Sequence, residues 1–263
     1  MKLKIDEGFA KFFWDAMLCL ALYLLCVGIP CFIPNVTQKV FTGVARFIFL
    51  IPILWLLLRN GLKPNFPNVK YFLISLPLIV ICFGNMMSIW TGGKASSPNV
   101  ETLFLDLAFT LGTALIEEAV FRFGLLEAVR RTSWRKFAIP ISAFLFGAFH
   151  LFALLSGSAV GPTFAQAGYT FLLGIILAVA YLYGGFLSAF VIHLAFNFLQ
   201  TDLYLACGGW EWDLPFFLWN IGLAVLAFGY AALLFFRYIL PKEKDFKPTL
   251  DVNVESYNNG EEN

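Results

Sequence analysis

The chain has 263 residues, of which 60% are hydrophobic and 13% are charged, with a net charge of +1. Because a soluble globular domain carries about 25% charged residues, this composition excludes a soluble fold. It predicts instead an all-α, polytopic bundle of transmembrane helices. Nucleic acid is excluded as a partner, because the basic residues fall in short clusters between apolar runs and form no basic stripe.

The apolar runs predict about eight membrane spans, since one span needs about 20 apolar residues. The sixth and seventh predicted spans are separated only by Gly184-Gly185. The expected spans are residues 9–33, 40–58, 71–90, 103–126, 137–155, 167–183, 185–200 and 214–240. We therefore expect a transmembrane bundle over residues 1–240, followed by a polar tail at 241–263 that is too poor in apolar residues to fold alone.

The distribution of lysine and arginine predicts the orientation of these spans. Basic residues cluster in alternate loops, such as the one from Arg130 to Lys136, and such loops are retained in the cytoplasm. Both termini, including the disordered tail, are therefore expected to be cytoplasmic. Lys39, Arg46 and Lys94 are the minority against this rule. The pattern is typical of a multi-pass integral protein of the cell (inner) membrane, with membrane lipids as its surroundings.

Three charged residues, Glu117, Glu118 and Arg122, interrupt the apolar span at 103–126. Charges at that depth cost several kcal/mol unless they are paired or wetted, so such a cluster indicates a functional site. Glu118 and Arg122 are four residues apart and share a helical face, whereas Glu117 points about 100° away from Glu118. We expect Glu118 to pair with Arg122, and Glu117 to be free to face a cavity as a general base. The alternative is a buried ion network that only fixes helix packing.

The two histidines of the chain, His150 and His193, each lie within a predicted span. A lone histidine in a span is more often a packing residue, but two of them beside a charged cluster favour a functional site. His193 and Asn197 are four residues apart and share a helical face. An imidazole and an amide placed in this way can both donate to a developing oxyanion. Helix rise puts His193 and Glu117 at similar depths, and His150 would match them if its helix began near Ile141.

Three motifs occur in chain order on three predicted spans, and together they use both histidines. The motifs are Glu117-Glu118-x-x-x-Arg122, Phe146-x-x-x-His150 and His193-x-x-x-Asn197. This order resembles the signature of the CAAX protease and bacteriocin-processing (ABI) family, and in particular its type II CAAX prenyl endopeptidases. The resemblance covers about residues 103–200, which we take as the catalytic core.

The resemblance implies an intramembrane endopeptidase that acts on a peptide or protein substrate. In the type II CAAX prenyl endopeptidases the substrate is lipid-modified, since it is a prenylated protein whose last three residues are removed. Carried over by motif position, Glu117 would activate the attacking water together with His150. His193 and Asn197 would stabilise the tetrahedral oxyanion. Glu118 and Arg122 would be supporting residues that organise the site.

Alternatives remain open for the chemistry and for the function. Glu117, His150 and His193 could form a three-ligand zinc site, and the family is often labelled as metalloproteases. The chain contains no H-E-x-x-H motif, however, and water activated by glutamate and histidine needs no ion, so we favour the glutamate-dependent mechanism. A proton-coupled transporter would also bury Glu, His and Arg, although no internal repeat is evident. A third possibility is a catalytically silent immunity or binding protein on the same fold.

Overall fold

The computed structural model describes residues 7–29, 37–61, 69–84, 100–199, 203 and 214–245. Helices account for nearly all of these residues and no strand occurs among them, which confirms the all-α prediction. The α-helices are α1 (Glu7–Gly28), α2 (Thr37–Arg59), α3 (Val69–Ser75), α4 (Val100–Glu118), α5 (Glu127–Arg130), α6 (Ala138–Phe149), α7 (Val160–Asn197), α8 (Leu214–Leu234) and α9 (Leu240–Asp245). The predicted spans at 9–33, 40–58, 71–90, 185–200 and 214–240 include residues or side chains outside the described part of the chain.

Four helical segments are long and apolar enough to cross a membrane, which supports an integral membrane protein. They are Phe41–Arg59, Arg135–Leu155, Val160–Asn197 and Leu218–Lys242. Phe13–Gly28 and Val69–Phe83 are shorter apolar helices. The count of eight spans and the cytoplasmic position of both termini stay predictions. The last helix, α9, continues to Asp245 and so extends into the segment predicted as a tail, whereas residues 246–263 lie outside the described part.

All three motifs lie where one type of helix changes into another, and the third ends at Asn197, where residues 198 and 199 continue α7 as a π-helical turn. α4 ends at Glu118 and is followed directly by a π-helix from Ala119 to Leu126, and π-helical turns are frequent at functional sites. α6 ends at Phe149, so that His150 begins a 3₁₀-helix that runs to Ser156. The wider π turn is tied to α6, because the hydroxyl of Ser142 donates to the carbonyl oxygen of Phe121 at 2.7 Å.

The break predicted at Gly184-Gly185 is present inside α7. Gly185 has a φ of 80° and a ψ of −176°, which is not helical and which divides α7 into two helical parts. Residues with a side chain rarely adopt this conformation, whereas glycine adopts it freely. The helical break is thus confirmed, and it lies between the end of α7 that carries His193 and the longer part that begins at Val160.

α6 and α7 pack closely through small residues. A Cβ atom added to Gly147 of α6 would lie 2.7 Å from the carbonyl oxygen of Ala167, and one added to Gly174 of α7 would lie 3.0 Å from Cα of Ala143. Small residues allow membrane helices to approach in this way. The prediction that the helix of His150 starts near Ile141 is wrong, since α6 begins at Ala138. Proline at position 140 is tolerated there because the first turn of a helix has no partner for the missing N–H.

Candidate active site

One cavity brings together the four residues that the motifs assign to catalysis. Glu117, His150, His193 and Asn197 all line a cavity of about 770 Å³, whose walls come from α1, α2, α4, α6 and α7 together with the 3₁₀-helix that begins at His150. Glu117 and His193 are buried, with 6% and 1% of their surface exposed. Pockets of this size can enclose a small ligand or a short segment of peptide. The roles of these four residues in catalysis stay a proposal.

Glu118 and Arg122 lie behind the wall of the cavity, and both are 0% exposed. They form the pair that their spacing predicts, with 3.4 Å between Nε of Arg122 and Oε2 of Glu118. The guanidinium carbon of Arg122 also lies 4.5 Å from the centre of the Phe146 ring. Among the described residues, the nitrogens of Arg122 have no hydrogen-bond partner. Its charge is therefore balanced by one carboxylate and by the electron-rich face of one aromatic ring.

His193 connects the two glutamates. Its Nδ1 lies 2.8 Å from Oε1 of Glu118, and its Nε2 lies 3.4 Å from Oε2 of Glu117. An ionised carboxylate can only accept a hydrogen bond, so Nδ1 carries the proton that it donates to Glu118. This contact fixes the plane of the ring and turns Nε2 towards Glu117. The two adjacent glutamates thus differ in position, but they share the same imidazole as a partner.

Glu117 faces the cavity, as expected from its spacing, and in addition a residue of α1 binds it. The hydroxyl of Tyr23 donates a hydrogen bond to Oε1 of Glu117. The Tyr23 ring is itself held in place, stacked on Phe149 with 4.5 Å between ring centres and packed edge-on against Phe121. The sequence gives no signal for this contact, since a tyrosine in an apolar helix usually has only a packing role.

His150 is oriented by the backbone of its own motif. Its Nδ1 lies 2.9 Å from the carbonyl oxygen of Phe146, and a carbonyl oxygen can only accept, so Nδ1 carries the hydrogen. In the neutral ring Nε2 is then unprotonated and able to take a proton. The Phe146 ring packs edge-on against both imidazoles, with 5.3 Å to His150 and 5.6 Å to His193. Phe146 therefore packs between the two imidazoles, a contact that explains why the motif contains a phenylalanine at this position.

Two further polar residues line the cavity. Asn197 is the last residue of α7, one turn beyond His193, and lies beside it on the wall. Arg46 of α2 is 8% exposed and lines the same cavity. Its Nη1 donates to the hydroxyl of Thr113 on α4, and its guanidinium carbon lies 3.9 Å from the centre of the Phe109 ring. The sequence singled out Arg46 only as an exception to the positive-inside rule.

The three candidate zinc ligands do not fit a metal centre. Within the described ranges, no group of three histidine, cysteine, aspartate or glutamate side chains is placed to hold a metal ion. Both nitrogens of His193 face glutamate oxygens, and Nδ1 of His150 is engaged by a backbone carbonyl. A histidine that binds a metal usually donates its other ring N–H to a carboxylate or a backbone carbonyl, so the two Nδ1 contacts do not themselves exclude a metal on either Nε2. The observation against the zinc alternative is the placement of the three side chains, which do not form a metal-holding group among the described residues.

The segment that carries all three motifs matches a known protein family. The family model described as "Type II CAAX prenyl endopeptidase Rce1-like" matches residues 99–199. No curated protein and no solved structure matches the chain. The matched segment contains Glu117, His150, His193 and Asn197, whereas Tyr23 and Arg46 lie outside it. Residues 99–199 of the chain are therefore similar to the Rce1-like type II CAAX prenyl endopeptidase family.

Proposed function

We propose that the protein is an intramembrane endopeptidase whose nucleophile is a water molecule activated by Glu117 and His150. The observation that carries this proposal is that four polar side chains from three motifs line one cavity inside a bundle of apolar helices. The family match over residues 99–199 supports protease activity in general. We propose further that the substrate is a peptide or protein segment, with or without a lipid modification, and that the enzyme resides in the cell (inner) membrane.

In this mechanism Glu117 is the general base. Its carboxylate takes a proton from one O–H group of the water molecule, while Nε2 of His150 accepts a hydrogen bond from the other O–H group. The hydroxide adds to the carbonyl carbon of the scissile bond, and the negative charge moves to the carbonyl oxygen. As the tetrahedral intermediate collapses, the C–N bond breaks and the proton held by Glu117 passes to the leaving nitrogen. The products are a new carboxyl group and a new amine.

His193 and Asn197 would stabilise the charge on the carbonyl oxygen. The amide of Asn197 and Nε2 of His193 are the donors proposed for the oxyanion. Since Nδ1 of His193 donates to Glu118, Nε2 is the nitrogen that remains for the oxyanion, and its use as a donor requires a second proton on the ring. Glu118 acts as a positioning residue for His193, and Arg122 balances the buried charge of Glu118.

The proposal is tested by a cleavage assay with the purified full-length protein in detergent. Wild-type protein is incubated with a peptide library that includes prenylated and unmodified members, and products are identified by mass spectrometry. Glu117→Gln and His150→Ala should each lower cleavage by about 100-fold or more, while thermal unfolding reports whether the variants are folded. Chelators should leave the wild-type rate unchanged.

Two results would contradict the proposal in different ways. Loss of activity with a chelator and its recovery with zinc would show that the metal-free mechanism is wrong, although the protease assignment would stand. If wild-type protein cleaves no member of the library but supports solute flux into liposomes, the protein is a transporter. In that case Glu117→Gln should abolish the flux, because a buried carboxylate would then carry the coupled proton.

A further inference from the structure

A second cavity, of about 470 Å³, lies between α6, α7 and α8 and shares no lining residue with the candidate active site. Its walls are mostly apolar. α7 contributes Ile175, Val179 and Leu182, which follow one another at spacings of four and three residues and so lie on one face of the helix. α8 contributes a similar stripe that includes Phe228 and Ala232. The proposed mechanism makes no use of this cavity.

The apolar walls form a groove that suits a hydrocarbon chain. The wall that starts at Phe228 continues to Leu240, which corresponds to roughly 18 Å of helix. One leaflet contributes about half of a hydrocarbon core of about 30 Å, so the groove is about as long as a leaflet is thick. Ala232 and Phe236 line the cavity and are exposed. The groove therefore opens on the outer surface of the helix bundle, where a chain of the surrounding membrane has access to it.

Basic residues line one end of this cavity. Arg130 is the last residue of α5, and Arg135 and Lys136 belong to a short 3₁₀-helix, Arg135–Phe137, that precedes α6. Arg130 is balanced by Glu127, at 2.8 Å. Within the described ranges, Arg135 and Lys136 contact no carboxylate, and Nη1 of Arg135 is buried without a hydrogen-bond partner. No acidic side chain lines the cavity, so these two cations have no counter-charge there.

Aromatic residues indicate that the basic end of the cavity lies at the membrane surface. Trp134 and Phe137 are 64% and 47% exposed, and their rings pack edge-on with 6.4 Å between centres. Exposed tryptophan is typical of the interface between a bilayer and water. Nζ of Lys136 lies 5.0 Å from the centre of the Phe137 ring. The cations are therefore expected at the level of lipid headgroups, and the apolar walls at the depth of acyl chains.

We propose that this cavity binds an anionic phospholipid, whose phosphate contacts Arg135 and Lys136 and one of whose acyl chains lies between α7 and α8. Charge complementarity selects this occupant, because a headgroup with a net negative charge supplies the missing counter-charge. Basic pockets between membrane helices bind anionic headgroups in this way. Phosphatidylcholine brings its own cation and leaves the basic end unbalanced. A free phosphate ion covers none of the apolar wall.

The test measures lipid binding by native mass spectrometry of the purified full-length protein in detergent. Dioleoyl phosphatidylglycerol should bind with a Kd roughly 10- to 30-fold lower than that of dioleoyl phosphatidylcholine, as expected for two basic residues at a lipid surface. Arg135→Gln combined with Lys136→Gln should remove this preference. The matched control combines Arg237→Gln with Lys242→Gln, which removes the same charge from exposed residues outside the cavity. The control should keep the preference.

A second arm tests the position of the acyl chain. Ala232→Phe fills the groove from its exposed side and should weaken the binding of both lipids several-fold, because the chain loses its packing contacts. Leu233→Phe is the control, since Leu233 is 53% exposed and lies outside the lining. Thermal unfolding checks that each variant is folded. sn-Glycerol 3-phosphate, which has the phosphate but no acyl chain, should not displace phosphatidylglycerol.

Four results would overturn the inference. Equal binding of the two lipids, or an equal loss of preference in the two double variants, would mean that no specific headgroup site exists. Unchanged binding in Ala232→Phe, or displacement by sn-glycerol 3-phosphate, would mean that no acyl chain occupies the groove. A lipid-free dimer that Ala232→Phe dissociates would assign the groove to a second copy of the chain. A preference that disappears only with Arg135 and Lys136 would show that they bind the headgroup. These measurements need no cleavage, so their outcome is independent of the proposed protease function.

Discussion

Two regions of the molecule build the walls of the cavity, and they contribute polar groups in different ways. The motif-bearing helices, α4, α6 and α7, supply a connected cluster in which Glu118 contacts both Arg122 and His193. The flanking helices, α1 and α2, supply single residues, Tyr23 and Arg46, each set among apolar side chains. The first region holds its own charges in balance. The second reaches across to the first, and its own ion pair, between Arg59 and Asp15, lies outside the lining of the cavity.

Both flanking residues reach the same helix. Tyr23 of α1 donates to Glu117, and Arg46 of α2 donates to Thr113. Thr113 and Glu117 are four residues apart, so they lie on one face of α4. That face is therefore the junction between the two regions. The motif helices carry the groups that are proposed to catalyse the reaction. The flanking helices contact this face at two points: Tyr23 positions Glu117, and Arg46 lies on the cavity wall at Thr113, one helical turn before Glu117.

The largest effect is expected from breaking the buried pair of the first region. Arg122→Met keeps the volume of the side chain but leaves the carboxylate of Glu118 with the imidazole of His193 and without its arginine counter-charge in the core. We expect the free energy of unfolding to fall by about 3–5 kcal/mol, measured by denaturant titration in detergent. Arg130→Met is the matched control, because Arg130 pairs with Glu127 where the two side chains are 18% and 16% exposed. That change should cost about 0–1 kcal/mol.

A double variant tests whether the pair acts through its charges. When Glu118→Gln is added to Arg122→Met, no unpaired charge remains in the core, so part of the lost stability should return. The cycle of single and double variants measures this coupling directly. If Arg122→Met destabilises no more than Arg130→Met, or if the second change adds to the loss, the first region is not held together by this ion pair.

The difference between the regions also decides what could be predicted from the sequence. The Glu118–Arg122 pair and the break at Gly185 follow from local spacing, and the structure has both. Tyr23 is one of nine tyrosines in the chain, and its contact with Glu117 spans 94 positions. Nothing in the local sequence points to it. Arg46 is one of the three basic residues that depart from the predicted positive-inside pattern, but that pattern does not indicate which residue it contacts.

The changes of helix type after α4 and α6 could not be predicted from the sequence either, because they depend on contacts with other helices. The π-helix from Ala119 to Leu126 has its Phe121 carbonyl oxygen bound by Ser142 of α6, and no pattern within the π segment itself encodes that partner. The same holds for the partner of Glu117. Helical periodicity correctly placed this residue on a different face from Glu118, but it could not tell that α1 presents a hydroxyl to that face.

Tyr23→Phe measures how much the second region contributes to activity. The change removes the hydroxyl that binds Glu117 and keeps the ring that packs on Phe149. Since hydrogen bonds to charged groups contribute about 1.5–3 kcal/mol, we expect kcat to fall roughly 10- to 100-fold with little change in KM. Tyr230→Phe is the control, because it also removes one hydrogen bond, at 2.6 Å to the carbonyl oxygen of Ile74, but lies outside the lining of the cavity.

The two tyrosine variants should therefore differ in rate, while both remain folded. Their thermal unfolding temperatures are compared in the same detergent, so that a loss of folding is not mistaken for a loss of chemistry. A kcat for Tyr23→Phe equal to that of Tyr230→Phe would mean that α1 only packs against the motif helices, and the positioning role would have to be withdrawn.

The smallest effect is expected at the contact that sets α6 against α7 within the first region. Gly147→Ala places a Cβ atom 2.7 Å from the carbonyl oxygen of Ala167 and 2.9 Å from Cβ of Phe171. The helices must move apart to relieve this clash, which should cost about 1–2 kcal/mol of stability. Because α6 ends next to His150 and α7 carries His193, the same movement should lower kcat several-fold.

Gly168→Ala on α7 is the control, since a Cβ atom there meets nothing within 4 Å and alanine favours a helix by about 1 kcal/mol. Equal stability and activity in the two variants would mean that the spacing of α6 and α7 does not control how the two histidines meet.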